Sequence, residues 1–477
     1  FDTPILVIGA GPAGISAALE VARHGVCVTV LDEGKKPGGQ IFRQSPDGFK
    51  VKEASLDSKL LDKHYFTGKK LMAQLGDMGE LIRVIQDALV WGIFPGNQVL
   101  FARDGKTHSV TFQKLILAEG AFERSLPFPG WTLPGIYTAG GAQTLLHTYQ
   151  VAPGSRVLLS GTGPIQLVLA NRLIQAGVEV VAVLEAASLI DSIQHTKLSL
   201  FPSAIRQFGL VKEGLGYLKG IYDKKIPLLR SHAIIEARGT NRVTSALYAK
   251  LDSNWKPLPG TEQEVHVDAV CLGYGFISST RLSHLCGCRH EYDRTLGCYV
   301  PQHDQYMESS VGGVFVAGDS AGVAGHLVAI DEGRLAAIRA CSQLDAVSQK
   351  VEKACASPIF KRLKSLRAFE DTLNEVCAIR PGLYHRITDE TIVCRCEEIT
   401  AGEVRNTVSF NRNVDVNELK KITRAGMGFC QGRSCGSTIS ALVALEKKIP
   451  IEEMGFITYQ EPAKPMRWGE MVMEDDH

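Results

Sequence analysis

The 477-residue sequence lacks several features that mark common classes of protein. Lys and Arg together number 52 and Asp and Glu 51, so there is no excess of positive charge for a nucleic-acid backbone. No uncharged apolar run reaches the roughly 18–20 residues that cross a bilayer, because the best candidate, residues 314–330, is interrupted by Asp319 and His326. We therefore expect neither a nucleic-acid partner nor a transmembrane segment.

Cysteine is also scarce, at 12 residues, far below the density of a disulfide scaffold. No segment reads as a secretory signal, so a reducing compartment is favoured and we expect a cytoplasmic protein. Four cysteines lie close together near the C-terminus, and the other eight are predicted to pack as small apolar residues. At roughly 100–200 residues per domain, the length predicts about three domains.

A glycine-rich motif stands near the start of the sequence. The apolar residues 5–8 read as a buried strand and precede a set of small residues: Gly9, Gly11, Pro12, Ala13 and Gly14. Gly9 permits a tight turn, Gly11 the approach of a diphosphate, and Gly14 close packing of a helix on the strand. The motif predicts a dinucleotide site. The alternative is that the glycines serve packing only.

An acidic residue follows at the expected distance. Residues 26–31 read as the next strand and end at Asp32 and Glu33, and Asp32 lies 23 residues beyond Gly9. A carboxylate at this position accepts a hydrogen bond from a ribose hydroxyl. The sequence leaves open which of the two acids does so.

Three later pieces resemble those of flavoproteins with two dinucleotide-binding domains, which include the glutathione and thioredoxin reductases. They are a second glycine turn at Gly39 and Gln40, a strand that ends in Ala118 and Gly120, and a strand that ends in Gly318 and Asp319. The resemblance implies an α/β fold that binds FAD, with the FAD domain split between residues 1–125 and 290–345.

A second copy of the opening design lies in the insertion, residues 126–289. Gly161 and Gly163 repeat the first two glycines, but Gln166 replaces the third. No arginine near Glu185 marks a 2′-phosphate site, and no closely spaced redox cysteine pair lies beside either motif, which argues against a disulfide reductase. The ligand stays open between NAD(P)H, another nucleotide such as ATP or AMP, and none.

The four clustered cysteines are Cys394, Cys396, Cys430 and Cys435. Their C-x-C and C-x-x-x-x-C pairs, 33 residues apart, suit a 2Fe-2S cluster; zinc is the alternative, although its sites mostly use C-x-x-C. The spacing resembles the small helical domain of bacterioferritin-associated ferredoxin. Nearby arginines (Arg395, Arg424 and Arg433) are predicted to offset the cluster's negative charge, with an ordinary solvated face as the alternative.

This arrangement gives a cluster domain at 391–450, with a capped helix start at Thr400 and a helical pattern over 414–424. Residues 346–390 are predicted to be a helical linker, or alternatively a partner-docking arm. Residues 451–477 are interpreted as a tail whose end is mobile or contacts a partner.

Segments 119–136, 161–164 and 423–433 resemble a narrower family, the FAD/2Fe-2S larger subunits of heteromeric dye-linked amino-acid and opine dehydrogenases. This family includes subunits of opine oxidase, hydrogen cyanide synthase, and L-proline and D-hydroxyproline dehydrogenases. The resemblance implies that a D-amino-acid-oxidase-like partner oxidises a C–N bond of an amino acid, imino acid or opine on its own flavin. The larger subunit then forwards electrons to an external acceptor.

The resemblance also implies a small ferredoxin-like third subunit in some complexes, FMN at a subunit interface and ATP in a dinucleotide site. An acceptor in a membrane would bring the chain to that membrane. The rival hypotheses are a self-sufficient NAD(P)H-dependent FAD/2Fe-2S reductase and a non-catalytic scaffold that bears cofactors. No motif selects a catalytic residue.

Overall fold

The computed structural model describes residues 1–46, 63–188 and 208–472, so the predictions that fall on 47–62, 189–207 and 473–477 lie outside the described residues. The described strands are β1 (Asp2–Ile8), β2 (Val28–Leu31), β3 (Ile82–Ile85), β4 (Leu89–Phe94), β5 (Gln98–Arg103), β6 (Lys106–Leu117), β7 (Ala121–Glu123), β8 (Ile136–Thr138), β9 (Arg156–Gly161), β10 (Glu179–Glu185), β11 (Leu228–Arg230), β12 (His232–Arg238), β13 (Ser245–Lys250), β14 (Gln263–His266), β15 (Ala269–Gly273), β16 (Phe276–Ser278), β17 (His290–Asp293), β18 (Cys298–Pro301), β19 (Val314–Val316), β20 (Ile392–Cys394) and β21 (Ile399–Thr400).

The described α-helices are α1 (Pro12–Arg23), α2 (Lys63–Asp77), α3 (Ala139–Thr148), α4 (Pro164–Gln175), α5 (Phe208–Asp223), α6 (Arg281–Leu285), α7 (Gly325–Ser342), α8 (Gln349–Cys377), α9 (Ala401–Phe410), α10 (Val416–Thr423) and α11 (Gly436–Lys447). None of these helices is long and apolar enough to cross a bilayer.

The first sheet has seven strands in the order β3-β2-β1-β6-β5-β4, with β19 pairing to the end of β6. Strands β1, β2, β3, β19 and the end of β6 run parallel, which explains why Ile5, Leu6 and Val7 form a continuous apolar run that is fully buried. The chain leaves this sheet after β6 and returns only at β19, so the sheet is built from two separated stretches.

The second sheet is parallel throughout, in the order β11-β10-β9-β15-β8. An antiparallel three-stranded sheet, β12-β13-β14, packs beside it, and the short antiparallel pair β7-β16 marks where the chain passes between the two sheets. The two sheets support, as a proposal, a split FAD domain at 1–125 and 290–345 around an inserted domain at 126–289.

The C-terminal part is helical and begins with the 29-residue helix α8. This helix lies against α7, where Arg362 pairs with Asp331 and Arg367 pairs with Glu332. The helical character predicted for 346–390 is therefore confirmed, but the segment is packed along the first domain rather than a simple connection. Beyond it, α9, α10 and α11 form a small unit in which Thr400 and Glu403 make the predicted cap.

The prediction of a mobile tail is wrong for the described residues. The backbone N–H of Ala463 donates to the carbonyl of Trp91 at 2.7 Å, and the Thr107 N–H donates to the carbonyl of Val472 at 3.0 Å. The segment therefore joins the edge of the first sheet. No sequence pattern indicates this, because the anchors are backbone groups, which every residue has.

Candidate functional site

The first glycine loop requires glycine for backbone reasons at two of its three positions. At Gly9, with φ +101°, a Cβ would lie 2.3 Å from the carbonyl oxygen of Ala118, and at Gly14 a Cβ would lie 1.8 Å from the oxygen of Gly9. At Gly11, by contrast, a Cβ would meet nothing nearer than the Cα of Gly39 at 3.9 Å. The fold leaves room above Gly11, as the approach of a diphosphate requires.

The predicted pieces of this site come together at the carboxyl ends of the parallel strands. A Cβ on Gly39 would lie 2.8 Å from the Cα of Gly11, and one on Gly318 would lie 2.9 Å from the Cβ of Ala13, which follows Pro12 in the first turn of α1. Ala118 already touches Gly9, and Gly120 follows two residues later. Gln40 is different, because it is exposed and accepts a hydrogen bond from Arg43 at 2.6 Å.

Of the two acids, Asp32 faces the loop. Its carboxylate accepts from the N–H of Ala10 at 2.5 Å and of Gly34 at 2.7 Å, and burial raises its pKa. The side chain of Glu33 is 60% exposed and forms an ion pair with Lys464. The geometry therefore favours Asp32 as the carboxylate of the site.

Asp319 lies among further carboxyl groups that sequence did not identify. The Ala324 N–H donates to it at 3.3 Å, and burial raises its pKa. Burial also raises the pKa of Glu332 to about 7, although Gly318 and Arg367 both donate to it. The pKa of Glu370 on α8 rises to about 7, first through burial and then through the charge of Asp319.

The second glycine loop is closed by the protein itself. Gly161 packs on β15, since a Cβ there would lie 2.0 Å from the oxygen of Gly273, and Gly163 faces the sulfur of Cys377, which lies 3.0 Å from a Cβ at that position. Glu185 accepts from the N–H of Gly163 at 3.2 Å and from the Gln166 side-chain amide at 2.9 Å. The end of α8 thus covers this loop, and the acid that would face a ribose is used internally.

The four predicted cysteine ligands lie in one chain of thiol contacts, in the order Cys396, Cys430, Cys435 and Cys394. The hydrogen bond from Cys435 lowers the pKa of Cys394 to about 6 and that of Cys430 to about 4. Backbone N–H groups, including those of Gly426 and Ser434, also point at these sulfurs. Low thiol pKa values and N–H donors fit thiolates that bind iron.

The arrangement does not centre on one point. Within residues 1–46, 63–188 and 208–472, no three His, Cys, Asp or Glu side chains are grouped as a single metal ion would require. Two iron atoms with two thiolates each suit a chain of four sulfurs better than one zinc ion does. Of the nearby arginines, Arg424 pairs with Glu397 on the surface, while Arg395 and Arg433 lie over the rings of Trp131 and Phe122.

The prediction that the other eight cysteines are packing residues is wrong for Cys27, which is exposed; the other seven are buried or partly buried.

The cluster unit is docked on the segment that follows Ala118 and Gly120. Trp131 donates from its indole N–H to the carbonyl of Ile392 at 2.6 Å, and Thr438 donates to the carbonyl of Ser125 at 3.2 Å. Segment 118–131 therefore contacts the first glycine loop at one end and the cysteine unit at the other.

A buried arginine that sequence did not identify lies between these two regions. Arg281 is 7% exposed and interacts electrostatically with Glu119, beside Ala118, and with Cys430. Glu119 accepts from the Leu282 N–H at 3.3 Å, and burial raises its pKa to about 7. No spacing rule links residue 281 to either motif, so only the fold could reveal it.

Comparison with known proteins agrees with this geometry. Residues 3–200 match the family described as pyridine nucleotide-disulphide oxidoreductase, and residues 392–444 match the BFD-like [2Fe-2S] binding domain. The larger of the similar proteins' subunits in opine oxidase of Rhizobium meliloti, its A subunit, is 32% identical over 98% of this chain and 87% of its own length. Hydrogen cyanide synthase subunit HcnB of Pseudomonas protegens is 31% identical over 97% of this chain and 96% of its own length.

Solved structures show the same fold at lower identity. L-proline dehydrogenase from P. horikoshii has a TM-score of 0.68 at 18% identity and covers 98% of this chain and 79% of its own. Thioredoxin reductase of T. acidophilum has a TM-score of 0.51 at 20% identity and covers 72% of this chain and 99% of its own. The chain thus belongs to the family of FAD-dependent oxidoreductase subunits with a BFD-like 2Fe-2S domain that includes HcnB and the A subunit of opine oxidase.

Proposed function

We propose that this chain is the electron-transferring subunit of a heteromeric dehydrogenase whose partner oxidises the C–N bond of an amino acid, imino acid or opine. The observation that carries the proposal is the placement of the cysteine unit on segment 118–131, directly beyond the first glycine loop. When bound, FAD takes up two electrons together and releases them singly, and a 2Fe-2S cluster carries one at a time.

In this proposal, the first glycine loop holds FAD. Gly11 and Gly39 leave space for the diphosphate, Asp32 accepts from the ribose, and Asp319 faces the same cradle. The thiols of Cys394, Cys396, Cys430 and Cys435 hold the cluster. Arg281 stabilises negative charge at both places, because its guanidinium interacts with Glu119 and with Cys430 and is shielded from water.

Cys377 supports supply of electrons by a partner rather than by NAD(P)H. Its sulfur lies on Gly163, where a diphosphate would approach the second loop, and Glu185 is already bonded to that loop. The names of the relatives, which are subunits of an opine oxidase and of hydrogen cyanide synthase, also support a partner. ATP at this loop, FMN at an interface and a ferredoxin-like third subunit have no support in the described residues.

The test is anaerobic reduction of the purified, flavin-loaded chain. We expect NADH and NADPH to leave the flavin absorbance unchanged, and dithionite to bleach the flavin and produce a 2Fe-2S electron paramagnetic signal. Prompt bleaching by NADH or NADPH would favour the self-sufficient reductase instead.

The second arm uses the tagged chain purified with its bound subunits, which mass spectrometry identifies. We expect L-proline, hydroxyproline or an opine to bleach the flavin of this complex and not that of the isolated chain. If the complex turns over substrate while the flavin and cluster of this chain stay oxidised, the chain is a scaffold and the proposal fails.

A further inference from the structure

The segment after the cysteine unit, residues 456–472, runs from the cluster loop to the first glycine loop; we call it the strap. It begins on the cluster loop, where the side chain of Ile457 lies 2.9 Å from a Cβ placed on Gly426. Asn417 fixes this end, since its amide donates to the carbonyl of Phe456 at 3.1 Å and accepts from the N–H of Thr458 at 2.8 Å. The strap is therefore part of the surroundings of the cysteines.

The middle of the strap is built into the first domain. Ala463 is 3% exposed, and its N–H donates to the carbonyl of Trp91 on β4 at 2.7 Å. Its own carbonyl accepts from the guanidinium of Arg281 at 3.1 Å. Met466 packs with Trp91 in a small apolar cluster. Bonds on both sides of residue 463 fix the direction of the residue that follows.

That residue is Lys464, and its ammonium meets the two acids at the end of β2. It forms an ion pair with Glu33, and its positive charge lowers the pKa of Asp32 against the opposing effect of burial. The side chain of Lys464 is 27% exposed, so this cation is largely enclosed. A cation beside Asp32 favours the ionised carboxylate, which is the form that accepts a hydrogen bond from a hydroxyl group.

We propose that Lys464 belongs to the FAD site and that the strap closes the ribose end of that site. The proposal rests on the assignment of FAD to the first glycine loop. Lys464 holds Asp32 as a charged acceptor, and the docked backbone at residue 463 keeps water from that end of the cradle.

The experiment measures release of FAD from the full-length holoprotein, followed by the rise of free-flavin fluorescence after dilution at pH 7. We expect Lys464→Met, which keeps the length and removes the charge, to release FAD about fivefold faster, a modest factor because the ion pair is partly screened. Lys464→Arg should restore slow release. The controls are Lys421→Met, an exposed lysine of the cluster unit, and Trp468→Ala, whose ring is 87% exposed on the strap.

Equal release rates in wild type and Lys464→Met would overturn the inference. Melting of the apoprotein separates FAD binding from folding: we expect Lys464→Met to melt as wild type does without flavin, and a lower apoprotein melting temperature that Lys464→Arg does not restore would reduce Lys464 to a structural role. Failure of the proposed function looks different, because the wild type itself would then not retain FAD at the first loop.

Discussion

The two glycine loops share one design and differ in what lies above them. Each follows a buried parallel strand, begins a helix with proline, and is followed by a second strand that ends in an acid, Asp32 or Glu185. Above Gly11 there is free space, whereas the sulfur of Cys377 lies against Gly163. The local motif thus determines the turn, and a distant segment determines whether the turn is open to a ligand.

Both loops are contacted by the same helix. At one point α8 places Glu370 beside Asp319 of the first site, and seven residues later it places Cys377 on the second loop. Seven residues are two turns of helix, so the two side chains lie on one face about 10 Å apart along the axis. Contact with a helix therefore does not by itself close a loop; the identity and depth of the contacting side chain decide.

The largest expected effect is at Gly11. The backbone there is ordinary, with φ −78°, and a Cβ meets nothing nearer than 3.9 Å, so Gly11→Ala should fold normally. A methyl group would nevertheless stand where the diphosphate approaches, and we expect FAD affinity to fall about a hundredfold, or about 2.7 kcal/mol. Titration of the apoprotein with FAD measures this, with Gly76→Ala on α2 as the matched control. Unchanged affinity would mean that FAD binds elsewhere.

The second loop should respond in the opposite way. A Cβ on Gly161 would lie 2.0 Å from the backbone oxygen of Gly273, so Gly161→Ala should destabilise the fold by about 1–3 kcal/mol. FAD content at low temperature should stay at the wild-type level. Denaturant unfolding and flavin absorbance check the two halves, again beside Gly76→Ala. Loss of FAD without loss of stability would contradict the distinction between the loops.

A smaller effect concerns Glu370, where α8 meets the first site. Its pKa in the folded chain is about 7, above the ordinary 4.5, so the folded state binds this proton more tightly than the unfolded state does. The stability that the proton confers is present at pH 4.5 and is lost as the pH rises through 7. Glu370→Gln should therefore stabilise the protein by about 1–2 kcal/mol at pH 8 relative to wild type.

Melting temperatures at pH 5 and pH 8 check this expectation. The difference between Glu370→Gln and wild type should appear at pH 8 and be small at pH 5. Glu453→Gln, at an exposed carboxylate, is the control and should change neither. An equal shift at both pH values would show that ionisation of Glu370 is not the cause.

Sequence predicted the features that depend on short stretches of chain. The turns at Gly9 and Gly39, the cap at Thr400 and the helical segment before the cysteines follow from backbone needs within a few residues. It did not predict Cys377, Arg281 or Lys464, because each acts on a partner hundreds of residues away and belongs to no motif. The prediction for the strap was wrong for the same reason, since polar and apolar residues alternate there without a helix or strand period.

The strap also bears on how the holoprotein is made. During synthesis residues 456–472 follow the cysteine unit, so a ribosome completes the first glycine loop hundreds of residues before it supplies Ala463 and Lys464. On our proposal, a nascent chain can recruit FAD early but retains it firmly only after the cluster unit has been translated. Firm flavin retention then becomes a checkpoint for a chain that has been finished to its last domain.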